Sequence, residues 1–180
     1  MSLLFVTTNA GKVREARDYL DADVEQFDYD YAEIQSDELA EIAARGARES
    51  FEAAGGDEPV IVDDSGLFVG GLEGFPGPYS SYVEDTLGIE RVWKLAEDLD
   101  DRAAAFRSVV AYADGETVET FTGEVPGRIV APRGTGGFGF DPIFEHDGET
   151  FAEMDTAAKN AVSHRGRALA SLADWLAERE

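Results

Sequence analysis

Residues 3–20 read LLFVTTNAGKVREARDYL, and their reading decides the fold class. Leu3-Leu4-Phe5-Val6 is a short apolar run of strand type. Thr7, Thr8 and Asn9 are turn and cap residues, and the pattern behind them predicts a helix from about Lys12 to Leu20. A strand, a tight polar turn and a helix start make a ready anion site, because backbone N–H groups point outward at the positive end of the helix dipole. Lys12 and Arg14 fall in that first turn, where a cation is unfavourable. The chain holds 15 basic residues, only three of them lysine. A lysine placed there argues for an anion beside it. The spacing G-x-x-x-x-G-K is missing, so this is not a Walker loop.

Working outward, VEQFDYD (24–30) reads as a second strand. SDELAEIAARGARESFEAAGG (36–56) reads as a helix capped by Ser36 or Asp37 and stopped at Gly55-Gly56. PVIVDD (59–64) is a short strand of buried type, running into a loop dense in Gly and Pro, SGLFVGGLEGFPGPYSSY. EDTLGIERVWKLAEDLD (84–100) reads as one helix. AAAFRSVVAYADGETVETFTGEV (103–125) gives two strands joined at Asp114-Gly115, a strong hairpin signal. PRGTGGFGFDP (132–142) is a second glycine-rich loop, and a last helix starts at about Ser163 with Leu169, Leu172 and Leu176 on its apolar face. Alternating strands and helices followed by a hairpin predict a mixed α/β sheet in one domain spanning residues 1–180.

Composition narrows the function. The 180 residues carry 38 acids against 15 bases, a net charge of −23. So acidic a surface repels nucleic acid and anionic membranes, and neither is expected as a partner. The acids are spread along the chain, and few lysines among many carboxylates suit a salt-rich cytoplasm of haloarchaeal type, where screening mutes self-repulsion. With no cysteine, thiolate chemistry is excluded. Two histidines, His146 and His164, make a multi-histidine zinc site improbable. The N-terminal apolar run is too short and lacks the basic leader of a signal peptide, so a cytoplasmic protein is expected.

Three further stretches carry candidate chemistry. VDDSG brings Asp63 and Asp64 to what reads as a strand end. Successive strand residues face opposite sides, so one of the pair faces a cleft. A carboxylate there, with Glu33 nearby, suits Mg²⁺, which takes one or two carboxylates and fills its shell with water and phosphate oxygens. The alternative is plain turn chemistry. GTGGFG (134–139) matches the dinucleotide pattern literally, but that motif opens a helix, and Phe140-Asp141-Pro142 does not. It reads better as a loop displaying Phe138 and Phe140, one to stack on a base and one to plug the core. KNAVSHRGRAL gathers Lys159, His164, Arg165 and Arg167. With Ser163 as cap, His164 and Arg165 are again cations at a helix start. Two such places in so acidic a chain predict one electronegative, oxygen-rich ligand held between them. His146 has no such company and reads as a surface residue.

Six stretches in order, TTNAGKVREA, EIQSDELAEIA, VDDSGL, GFPGPYSS, GGFGFDPIF and SHRGRAL, resemble the inosine triphosphate pyrophosphatase family over nearly the whole chain. The resemblance implies an elongated mixed β-sheet with flanking helices, two lobes around a nucleotide-binding cleft, and a homodimer. It implies Mg²⁺-dependent hydrolysis of deaminated purine triphosphates (ITP, dITP, XTP) to monophosphate and pyrophosphate. By position it assigns Thr8, Asn9 and Lys12 to the triphosphate, and Glu33 and Asp64 to metal. It gives Asp63 or Asp64, with Lys12, to catalysis. Phe138 would stack on the base, with Ser65, Gly139, Phe140, Asp141, Lys159, Ser163, His164 and Arg165 lining the substrate pocket. One departure stands out: where many members carry a lysine in the helix after EIA, this chain has Gly46, flanked by Arg45 and Arg48.

Overall fold

The computed structural model describes residues 2–179. The predicted opening is present: β1 (Ser2–Val6) leads through Asn9 into α1 (Ala10–Tyr19), and β2 (Asp23–Phe27) follows. The helix starts two residues before Lys12 because the Asn9 side chain accepts the Gly11 N–H at 2.8 Å and caps it there. α2 (Leu39–Ala53) starts later than expected. Neither Ser36 nor Asp37 holds the cap position, which falls to Glu38. Ser36 instead accepts the Glu38 N–H and donates to Glu41.

The largest departure is β3 (Val60–Val69). Asp63-Asp64-Ser65-Gly66 is neither a turn nor a strand end; the strand runs straight through it. β4 (Pro76–Gly77) pairs antiparallel with the far end of β3. There Ser80 accepts the Leu67 N–H at 2.8 Å and donates to the Gly77 carbonyl at 2.6 Å. The single helix expected over 84–100 is two, α3 (Ser80–Leu87) and α4 (Ile89–Ala96), broken at Gly88 with φ 78° and ψ 159°, a conformation essentially reserved for glycine. β5 (Ala103–Ala113) and β6 (Val118–Ile129) form the predicted hairpin. Three small elements had no sequence reading: β7 (Phe144–His146), β8 (Glu149–Thr150) and α5 (Thr156–Ala161). α6 (His164–Ala177) closes the chain as expected.

The sheet is mixed, in the order β2-β1-β3-β5-β6-β7-β8 with β4 on β3. β1 lies parallel to both β2 and β3. The chain folds as two compact units, residues 1–64, 108–123 and 164–180, and residues 65–107 and 124–163. Each has its own core. The first buries Leu3, Phe5, Val13, Ile61, Val110, Leu169 and Leu172 among others. The second buries Leu67, Val92, Val125, Ile143, Phe144 and Phe151. No helix among the described residues is long and apolar enough to cross a membrane.

Candidate active site

In the first unit the misplaced cations find their anion inside the protein. Strand alternation turns Asp63 inward and leaves its neighbour Asp64 half-buried. The Asp63 side chain is 0% exposed, with Lys12 Nζ at 2.9 Å and Arg165 Nε at 2.7 Å from Oδ2. Ser108 Oγ donates to Oδ1. Arg165 also pairs with Glu15 at 2.9 Å. The starts of α1 and α6 are thus both tied to one carboxylate of β3. The α6 start approaches so closely at Gly123 of β6 that a Cβ there would overlap the His164 carbonyl oxygen. A carboxylate of the chain itself, Asp63, thus stands between the two basic helix starts.

The electrostatics follow. Burial alone would push the Asp63 carboxyl up, but Arg165, Lys12 and the Ser108 hydroxyl together hold it far below the usual carboxylate range. Burial would lower Arg165, yet Asp63 and Glu15 raise it. Asp63 is an anchor held as the carboxylate at neutral pH, and its oxygens are engaged. Asp64 stands on the other face of the strand, and the Tyr31 phenol lies in its field. Burial, then Asp64, Glu33 and Asp63, push that phenol well above its ordinary value, so Tyr31 is a neutral donor beside the acids. Thr8 and Asn9 are exposed at the α1 entry.

The donors fit the expected ion. Among the described residues no three acidic or histidine side chains are grouped to hold a metal by themselves. Two carboxylates, Glu33 and Asp64, share the neighbourhood of Tyr31. A pair of hard oxygen donors without imidazole or thiolate suits Mg²⁺, which completes its shell with water and phosphate.

In the second unit the two phenylalanines separate. Phe138 is 72% exposed and Phe140 only 4%. The Phe140 ring packs in the core, so its expected place among the pocket side chains is corrected, and one displayed ring remains. Asp141 is buried beneath the loop. Its Oδ2 accepts the Phe138 N–H at 2.8 Å and pairs with Lys159. The Lys159 ammonium also lies 4.3 Å from the Phe138 ring centroid. Lys159 rides on α5, capped by Asp155 accepting from Ala158 N–H at 2.8 Å. The base of the loop is pinned by Gly136 N–H donating to the Ala152 carbonyl. The glycine-rich segment is thus a braced platform for one aromatic ring. Ser65, Gly139 and Ser163 lie in this unit, while His164 opens α6 in the first.

Three residues of these clusters escaped the sequence reading. Ser108 had a signal, as a lone small polar residue in the apolar run SVVAYA, where a buried hydroxyl demands a partner. Glu15, three residues after Lys12 on the same helix, had a weaker one. Tyr31 had none.

Comparison with known proteins agrees with this architecture. Over 99% of its length the chain is 53% identical to the dITP/XTP pyrophosphatase of Thermococcus kodakarensis, covering 98% of that protein. It is 52% identical to the dITP/XTP pyrophosphatase of Methanopyrus kandleri, with 97% and 96% of the two chains covered. Its fold is similar to that of a HAM1 protein from Coxiella burnetii, with TM-score 0.88, 32% identity and 99% of each chain covered. The Ham1 protein of Staphylococcus aureus gives TM-score 0.88 at 28% identity over 100% of both chains. The model of the Ham1 family matches residues 3–175, and the chain belongs to that family.

Proposed function

We propose that this protein is a nucleoside triphosphate pyrophosphohydrolase that removes deaminated purines (ITP, dITP, XTP) from the cytoplasmic nucleotide pool, as a homodimer using Mg²⁺. The observation that carries the reading is the burial of Asp63 between Lys12 and Arg165, with Asp64 half-buried beside it on a continuous strand. It stands beside 53% identity to a relative named dITP/XTP pyrophosphatase.

The reaction is attack of water on the α-phosphorus: a new P–O bond forms, the bond to the bridging oxygen breaks, and pyrophosphate leaves. When bound, Mg²⁺ would supply charge neutralisation at the phosphates. Glu33 and Asp64 are the carboxylates that would hold it. Of the two aspartates, Asp64 is the one suited to take the water's proton. Asp63 is fixed as an anion by two cations and a hydroxyl, and a carboxylate so strongly stabilised is a poor base. Its task is to hold Lys12 and Arg165 in place. Thr8, Asn9 and the α1 start, with Lys12, serve the triphosphate. Phe138 stacks on the base, and Asp141 and Lys159 fix its loop. Ser65, Gly139, Ser163 and His164 complete the substrate contacts, while Arg165 acts first through Asp63 and Glu15.

The test is incubation with a nucleotide panel and Mg²⁺ with identification of products. Monophosphate plus pyrophosphate from ITP and XTP, with ATP and GTP spared, is the expected result. Release of orthophosphate, or equal use of ATP, would overturn the reading.

A further inference from the structure

Glu33 lies in residues 28–36, a segment without regular secondary structure, yet a carboxylate that holds a metal ion must be held still itself. The support comes from α2. Glu49 Oε1 accepts the Tyr29 hydroxyl at 3.1 Å and the Ala32 backbone N–H at 3.3 Å. The second of these fixes the residue immediately before Glu33. Gly46, three residues earlier and therefore on the same face of the helix, leaves α2 bare, and the Tyr31 ring occupies the space. A Cβ at Gly46 would lie 2.5 Å from Cε2, 2.7 Å from Cδ2 and 2.9 Å from Cζ of that ring. The Tyr29 ring in turn stacks on Phe27 at the end of β2, with centroids 5.8 Å apart and planes 7° from parallel. Three successive odd-numbered positions, 27, 29 and 31, are anchored, and 33 is the next.

Glycine is a poor helix former, so its presence in the middle of a 15-residue helix needs a reason, and the tyrosine ring supplies one. We propose that Gly46, Glu49 and Tyr31 form a seat on α2 that positions Glu33 for the metal ion. This rests on the reading of Glu33 as a metal-holding carboxylate. The three are positioning residues, acting through the backbone of residues 29–33.

The test measures Mn²⁺ binding by electron spin resonance, with a non-hydrolysable ITP analogue present, alongside the Mg²⁺ dependence of turnover and the melting temperature. Glu49→Ala removes the acceptor for both donors, whereas Glu49→Gln keeps a carbonyl oxygen that accepts from both. Gly46→Ala improves helix propensity while forcing the Tyr31 ring away. Weakening of Mn²⁺ binding by about tenfold in Glu49→Ala and Gly46→Ala, the scale typical of lost support behind a ligand, with recovery in Glu49→Gln, is expected. A merely structural role would lower the melting temperature without moving metal affinity. Unchanged Mn²⁺ affinity in Gly46→Ala and Glu49→Ala, while Glu33→Gln loses it, overturns the seat. Unchanged affinity in Glu33→Gln overturns the reading of Glu33 beneath it.

Discussion

At the scale of single residues, Asp63 and Asp64 are neighbours in different surroundings, one buried between two cations and the other half-buried, and the roles proposed for them differ accordingly. Asp64→Asn is expected to abolish turnover by several orders of magnitude, because metal and water positioning act as a unit. Nucleotide binding should partly survive and the melting temperature should hardly move. Asp63→Asn takes the carboxylate partner from Lys12 and leaves Arg165 with Glu15 alone. Breaking such a buried pair costs about 3–5 kcal/mol, which a urea titration would register as a large drop in midpoint. Equal stability of the two variants would refute the assignment. The pH dependence has a definite sign. Asp63 is depressed in the folded state from an ordinary value of 3.8. Its contribution is therefore complete above that value and is lost as pH falls below it toward the folded value. Acid unfolding of the parent should steepen below about pH 4, and Asp63→Asn should flatten that limb. The sequence pointed from Lys12 and Arg165 to an anionic ligand and did not show that Asp63 pairs with both. Composition and dipole arguments see a charge out of place. They do not see which of two adjacent strand residues turns inward to meet it.

At the scale of elements, the opening strand-turn-helix, the hairpin at Asp114-Gly115 and the closing helix were legible because cap residues, glycine turns and apolar periodicity agreed. Reading failed where one signal served two structures. Asp-Asp-Ser-Gly is turn chemistry in isolation, and it is the place of β3 in the sheet, with β1, β4 and β5 as neighbours, that goes with an extended chain there. The run 84–100 kept helical periodicity across Gly88, whose backbone geometry ends one helix and begins the next. Gly88→Ala meets no neighbour within 4 Å, so its cost is purely conformational, about 1–3 kcal/mol. A shift of that size in the urea midpoint, with ITP kinetics unchanged, is expected. Phe138 was legible as one of two exposed candidates, and packing chose between them. Phe138→Ala should weaken use of ITP and ATP by similar factors, since stacking holds any base. A selective loss of ITP would assign the ring a part in discrimination.

For the whole molecule, 38 acids against 15 bases predict mutual repulsion that salt relieves. The melting temperature should climb between dilute buffer and molar KCl. A flat or falling value would remove the salt-adapted reading and leave the enzymatic one standing. The fold class was open to composition and pattern, whereas the two separate cores were not, because β3, β5 and β6 each contribute to both. The Asp63 anchor has a consequence for the order of biosynthesis. Its partner Arg165 lies 102 residues downstream, and Glu15 joins the same guanidinium across 150 residues. The ribosome delivers the N-terminus first, so Asp63 and its partner Lys12 emerge long before Arg165 exists to join them. Leu169 and Leu172, needed to seal the first core, come later still. The second unit, by contrast, is complete in the chain at Ser163. The unit whose first residues are translated earliest is also the one whose last residues are translated latest.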